Sequence, residues 1–494
     1  METPKQLFHK YPTRDPKNGK EIEIGSTRYN RLVEKYGSPK IKSPKSHYKI
    51  TVGKKAYYTL IENGYTQAEL LGYETNVIPK NDIKNDIKNN IKNDVNFVSL
   101  PADIINEIIN TMEPYEFVAL VKVSKYLKNI ISKNVIYINF IKNFKTISCG
   151  NQTTFFIKDE ALYAYGDNHR QHDLTNGCKT AICPIPQKVI GMSYTNVLSV
   201  ISGGSHTSAI TSDGVFIFGY NGYGQLGLGD RNDHRLPQKL NLSNILQIVC
   251  SRNFTLILTK AGVYGFGDHY DGQLGLGKLN NLTFEDRISI PTRVPIPSKV
   301  LFIAASSTAS YFITEDGIYT CGESLMSNRG HCNYVPIKLD THFITNYKKV
   351  IIYCGSRHVI INDNNVLYGF GSNINGELGL SHIGIIDKIT QLSYFNNFSF
   401  LAIIDIACGE NYSLVLTNEG LFGMGIETIT HTRNQIKHYT IQKIELDNIV
   451  SIYAGVNHFI IKTQEGVYGM GDNSRKQIDN TTVKMYRKPH KINL

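Results

Sequence analysis

The chain contains no tryptophan in 494 residues and only seven methionines. No stretch approaches ~20 uninterrupted apolar residues, so no membrane-spanning helix and no membrane partner are expected. The first residues, Met1-Glu2-Thr3-Pro4-Lys5, lack the apolar core of a secretory signal. These absences predict an intracellular protein of cytoplasm or nucleus with reduced thiols. Two catalytic signatures are also missing: a phosphate-binding loop ending in Lys-Ser/Thr, and a nucleophile elbow.

Cysteines are few and regularly placed. Cys149, Cys250, Cys354 and Cys408 occupy one repeat position and Cys321 precedes Gly322, so small buried residues are expected rather than a metal cluster. Equivalent positions in different repeats are expected to lie far apart. Cys178 and Cys183 have no matching second pair at zinc spacing. No metal or cofactor is therefore expected.

What is present is repetition. Ser202-Gly203-Gly204-Ser205-His206-Thr207-Ser208-Ala209-Ile210-Thr211-Ser212-Asp213-Gly214-Val215-Phe216-Ile217-Phe218-Gly219 is the clearest copy of a phrase that occurs seven times. It reads as a small-residue pair, an apolar strand, a polar turn, and aromatic-Gly. The closing glycines, Gly166, Gly219, Gly267, Gly322, Gly371, Gly425 and Gly471, lie 53, 48, 55, 49, 54 and 46 residues apart. Several short strands in a period near 50 predict a β-propeller of seven blades. Apolar alternation in strands such as His206 to Thr211 is expected to bury one face against the next blade. Lys488-Pro489-His490-Lys491-Ile492 is expected to close blade seven together with the segment near 141–148. His206, His358 and His458 share a repeat position with no carboxylate or nucleophile beside them, which points to structural histidines bonded between strands.

The glycine phrases carry a resemblance. Gly203-Gly204-Ser205-His206-Thr207, Val263-Tyr264-Gly265-Phe266-Gly267, Gly224-Gln225-Leu226-Gly227-Leu228-Gly229, Gly272-Gln273-Leu274-Gly275-Leu276-Gly277 and Gly376-Glu377-Leu378-Gly379-Leu380 resemble the regulator of chromosome condensation repeat over roughly 145–494. Blades one, four, six and seven have lost the Gly-Gln-Leu-Gly phrase. Trp-Asp blades are excluded by the period and the missing tryptophan, and kelch blades by the missing tryptophan.

The first 142 residues are organised differently. Residues 1–95 hold 18 Lys and Arg against 11 Asp and Glu, which is +7 of the chain's +11. Such an arm admits nucleic acid or an acidic partner, but a solvated lysine-rich surface is preferred because no basic-aromatic groove motif accompanies it. Residues 1–37 resemble, through Asp15-Pro16-Lys17-Asn18-Gly19-Lys20-Glu21-Ile22 and Tyr29, the two-cysteine adaptor motif of large DNA viruses. Both cysteines are absent. That resemblance implies a small interaction module and a viral protein acting in a host cell. Residues 38–75 read as a small α/β module that starts with a strand near Tyr48 to Val52. Residues 76–95, with Asn81-Asp82-Ile83-Lys84 repeated as Asn85-Asp86-Ile87-Lys88, read as a flexible linker.

Residues 96–142 read as three short helices. Pro101 suits a first turn, Asp103 complements its dipole, and Ile104, Ile105, Ile108, Ile109 and Met112 share a face. Leu100-Pro101-Ala102-Asp103-Ile104-Ile105-Asn106-Glu107-Ile108-Ile109, followed by Leu120-Val121-Lys122-Val123-Ser124-Lys125, resembles the F-box. The resemblance implies docking on the Skp-type linker of a cullin ubiquitin ligase, with Leu100, Pro101, Ile104 and Ile105 on the docking face.

The expected architecture is thus mainly β, a seven-bladed propeller over 143–494 preceded by a three-helix F-box-like module and small N-terminal modules. The expected function is a non-enzymatic protein-interaction scaffold, a substrate-recognition adaptor whose propeller holds an unidentified target. Guanine-nucleotide exchange on a small Ran-like GTPase is the alternative that the repeat resemblance implies. Fused ligase chemistry is not expected, since the chain stops where the seventh blade stops.

Overall fold

Seven four-stranded antiparallel sheets follow one another along the chain, spanning Ile147–Lys188, Val197–Lys239, Ile245–Arg293, Val300–Lys338, Val350–Gln391, Ile403–Ile444 and Ile449–Ile492. They are numbered blades one to seven. The computed structural model describes residues 40–42, 49–51, 145–168, 180–192, 196–278, 287–323, 325, 331–396, 402–425 and 441–492. Within each blade the strands run in sequence order from one edge to the other, and the first strands of neighbouring blades meet around a complete circuit, blade seven against blade one included. The first strands therefore line the axis of a closed propeller, and the fourth strands form the rim.

The core is divided among the blade interfaces. Seven buried apolar clusters occur among the described residues, one for each interface. At about 25 cal/mol per Å² of apolar surface removed from water, these faces are what each blade gains from its neighbours. The second strands in blades two, three, four and six, among them His206–Thr211 and Phe254–Thr259, are buried along their whole length. A blade inside a closed ring is covered on both faces, one by each neighbour.

The aromatic-Gly landmarks sit at or near the end of the third strands. All seven have φ between 92° and 114°, where an L side chain is strained. At Gly166, Gly267, Gly322, Gly371, Gly425 and Gly471 a Cβ would also fall 2.3 to 2.5 Å from the carbonyl oxygen just before the second strand. That carbonyl accepts the next backbone N–H, as in Asp268 to Asn253 and Asp472 to Asn457. The periodic glycine thus marks one hairpin per blade.

Ring closure differs from the sequence expectation. Met485–Ile492 is the fourth strand of blade seven, as its pattern suggested. Ile147–Cys149, however, is the first strand of blade one and pairs only with Thr153–Lys158. Among the described residues no blade borrows a strand. Closure comes from packing of Ile147, Phe156 and Tyr165 against Tyr453, Ile460, Ile478 and Ile492.

The thiol expectation also changes in part. Among the described residues six cysteines are free, while Cys183, in the fourth strand of blade one, is disulfide-bonded. Of the repeat-position thiols Cys149 is buried as expected and Cys250, Cys354 and Cys408 are partly buried; desolvation pushes Cys149, Cys250 and Cys408 up to about 12. Cys354 and Cys408 are nearer than expected, because adjacent first strands converge at the axis. Burial raises the Cys354 thiol, and the neighbouring Cys408 adds to the effect.

The chain divides into two units, residues 1–112 with 119–131 and residues 113–118 with 132–494. In the first, Lys40–Lys42 pairs with Lys49–Thr51, placing Ile41 opposite Ile50. The second of these strands falls within the Tyr48–Val52 stretch. The 1–37 module, the 76–95 linker and the helices of 96–142 lie outside the described residues, and Leu100, Pro101, Ile104 and Ile105 with them. None of the described helices is long and apolar enough to cross a membrane.

Candidate interaction surface

An up-down-up-down blade gives a propeller two unlike faces. One carries the three-residue loops between first and second strands and the long loops between third and fourth strands. The other carries tight turns and the links between blades.

On the first face the short loops join hands around the axis. Gly204 N–H donates to Ser251 O at 3.0 Å, Ser307 to Ser356 at 3.2 Å, and Ser356 to Gly409 at 3.3 Å. Glu410 donates to Val456 at 3.0 Å, and Val456 donates to Gly150 at 3.4 Å. Between blades three and four the Ser251 hydroxyl supplies the bond, to Ser306 O. The loops must be slim: a Cβ on Gly355 would lie 2.1 Å from the His358 ring and 2.6 Å from Gly409 O.

Beneath the loops lie the repeat-position rings. His206 Nε2 lies 2.8 Å from Thr255 Oγ1 of the next blade, His358 Nε2 2.7 Å from Ser413 Oγ, and His458 Nε2 3.0 Å from Thr154 Oγ1. Thr255 and Thr154 give their own protons to Gln225 O and Gln477 O, so the partnering imidazoles donate from Nε2. In blade six Tyr412 fills the position and donates to Gly455 O and His458 O. The Nδ1 atoms of all three histidines are buried without a partner. A proton there would find no acceptor, and burial holds His206 down at about 3 and His358 and His458 at about 4. They are neutral clips between blades, as their isolation from carboxylates in the sequence suggested. Among the described residues no group of three or more His, Cys, Asp or Glu is placed to hold a metal ion.

The long loops are built on a side-chain turn. Asn221 Oδ1 accepts from Leu226 N–H and Asn373 Oδ1 from Leu378 N–H, while Gln225 and Glu377 accept from the N–H two residues back. Blade seven, which lost the glycine phrase, keeps the geometry. Asn473 accepts from Ile478 N–H, Gln477 accepts from Arg475 N–H, and Lys476 takes the glycine's place with φ 63°. The durable signal is Asn with Gln or Glu four residues on and an aliphatic residue after it.

These turns hold the loop tips out from the face. Tyr270 is 65% exposed and Ile374 49% exposed, each two residues before the glycine of its phrase. On the loop of blade two Tyr220 and Tyr223 meet edge to face, and the Arg287 guanidinium lies 4.2 Å over the Tyr223 ring. Arg357 binds Glu323 at 2.7 Å across blades four and five, and Thr308 donates to the same carboxylate. Tyrosine and arginine on projecting loops are the side chains that anchor protein interfaces. Sequence reasoning passed over Tyr270 and Ile374, although a large apolar residue at a polar loop's tip was a readable sign. The stretches Glu323 to Cys332 and Ile426 to Lys437 depart from the repeat and are the sequence's other candidates for target loops. Glu323 and Cys332 are strand ends on this face, and most of both stretches lies outside the described residues.

The fold defines a seven-bladed β-propeller. The regulator of chromosome condensation (RCC1) repeat model matches residues 212–258, 260–313 and 364–416, and the F-box domain model matches 97–139. The chain is 39% identical over 232 residues to the X-linked retinitis pigmentosa GTPase regulator of Canis lupus familiaris, covering 45% of this chain and 23% of that protein. It is 27% identical over 247 residues to the ultraviolet-B receptor UVR8 of Arabidopsis thaliana, covering 48% and 54%. The chain thus spans between a quarter and about half of these relatives' lengths. Among solved structures it is similar to human WBSCR16, with TM-score 0.56, 22% identity and coverage of 65% of this chain and 87% of that one. Prp20p of Saccharomyces cerevisiae, studied for its binding to Gsp1p and histones, gives TM-score 0.57 and 19% identity over 68% and 86%. At these identities the structures speak for the fold alone.

Proposed function

We propose that the chain is a substrate-recognition adaptor of a cullin-type ubiquitin ligase. Its F-box helices would hold the Skp-type linker while the loop face of the propeller holds a target. The observation that carries this reading is the F-box match at 97–139 directly ahead of a propeller with no other domain between them. The adaptor forms no covalent bond itself. It raises the target's effective concentration at the ligase. Leu100, Pro101, Ile104 and Ile105 form the docking face, and the site of action is the cytoplasm or nucleus, of a host cell if the protein is viral. Nucleotide exchange on a Ran-like GTPase is the alternative within the repeat family, and shared fold does not confer it.

The test is recovery of partners by wild-type protein and by L100D/I104D, because a charge in an apolar interface is strongly unfavourable. Wild type is expected to recover linker and cullin, and the double variant neither, with unchanged propeller stability. Linker recovery by the double variant overturns the docking assignment. A small GTPase recovered without the linker favours exchange.

A further inference from the structure

Six of the seven blade interfaces are spanned by a link from the fourth strand of one blade to the first strand of the next, such as 240–244 and 445–448. The interface of blade seven with blade one has none, and among the described residues no shared strand replaces it. We propose that the ring is latched rather than locked at this seam, and that mild acid opens it there while the other interfaces hold.

The geometry of the seam supports this on two counts. Its backbone bridge, Val456 N–H to Gly150 O, is long at 3.4 Å. It also carries buried polar atoms without a hydrogen bond, Tyr165 Oη and His458 Nδ1, the second of a kind found at the His206 and His358 interfaces too. Leaving such groups unpaired penalises the closed state and lowers the work of opening.

The proton acts at His458. Its Nε2–H already belongs to Thr154, whose hydroxyl is committed to Gln477 O, so an added proton must sit on Nδ1. That atom faces Gly455 and has no acceptor. Burial lowers the imidazole to about 4, although Asp472 opposes this. The ordinary value near 6.5 returns when the seam parts. The folded value is depressed, so the closed seam is favoured above about 6.5 and loses that preference as pH falls toward 4.

The other charges do not hold the seam shut. His490 pairs with Asp479 at 3.0 Å and stacks on Tyr486, but all three belong to blade seven. Arg475 reaches Asp167 of blade one only at 4.0 Å, on a partly exposed pair. His206 and His358 share the chemistry, but a link tethers each of their interfaces, so a parted pair recloses at high effective concentration.

Hydrogen exchange of the full chain by mass spectrometry tests the latch, with rates corrected for intrinsic exchange at each pH. From pH 7 to 5 the opening constant of Ile147–Cys149, Thr153–Lys158, Ile449–Ala454 and His458–Thr463 is expected to rise about twentyfold, from the two His458 values. The equivalent strands of blade four, Val300–Ala305 and Ala309–Thr314, should barely change. In H458Q, which keeps a donor for Thr154 and cannot titrate, the seam's acid response should disappear. Equal protection of seam and blade four at pH 5 overturns the proposal, as does an undiminished response in H458Q. The wild-type comparison stands by itself if H458Q folds poorly.

Discussion

Gly355 and His358 are expected to behave as one unit under mutation. Gly355 does not have a left-handed backbone, so alanine there is opposed by space alone: its Cβ would lie 2.1 Å from His358 Cε1. Displacing a fully buried ring or the loop above it costs about 3 kcal/mol. H358A loses the 2.7 Å bond to Ser413 and leaves a cavity in the interface of blades five and six, for about another 3 kcal/mol. In G355A/H358A the new methyl enters space that the ring has vacated. The double variant is then expected to cost about 4 kcal/mol rather than 6, with the remainder set by Gly409 O at 2.6 Å. Blade four already shows a side chain and a missing ring together, as Ser306 and Ala309. Urea unfolding of the four proteins, followed by far-UV circular dichroism because the chain has no tryptophan, measures the cycle. Additivity within about 0.5 kcal/mol would refute the reasoning.

Three further outcomes are expected. Cys149, buried and with its thiol raised to about 12, should resist a thiol reagent at pH 8 and react on unfolding; mass spectrometry showing its fast labelling in native protein would contradict its packing. Deleting residues 488–494 removes Ile492 from the seam and much of the rim strand of blade seven, so the thermal midpoint should drop by several degrees; an unchanged midpoint would mean that the rim strand contributes nothing to closure. Y270A/I374A should weaken target recovery at least tenfold with unchanged unfolding, because both side chains are about half exposed or more; full recovery would move the target site elsewhere.

The blade count and the role of the periodic glycines were legible because each glycine answers a local demand, a positive φ beside a carbonyl of its own hairpin. The histidines were legible as structural, but their partners were not. Thr255, Ser413 and Thr154 belong to the next blade, and nothing local to His206, His358 or His458 points to them. Closure was misread for a related reason. Lys488 to Ile492 looks like every other rim strand, but a strand pattern does not say which blade owns Ile147–Cys149. The loop of blade seven looked lost because glycine was taken as its signature, whereas Asn473 and Gln477 hold the turn and Lys476 tolerates the glycine's backbone. At the candidate site the landmarks were repeats, and Tyr270 and Ile374 stand out by breaking them.

Because every sheet is woven from its own unbroken length of chain, the order in which blades are encoded is a matter of convention. Ile147 and Ile492 share one apolar cluster, so a short peptide could join the two ends of the propeller and a cut in another link could supply new ones. All seven sheets would survive such a rearrangement. A gene with this architecture can gain, lose or exchange segments near 50 codons without unravelling a neighbour, and selection then acts on the fit of the circle. Inheritance is by whole blades, which leaves the loop tips free to diverge one at a time.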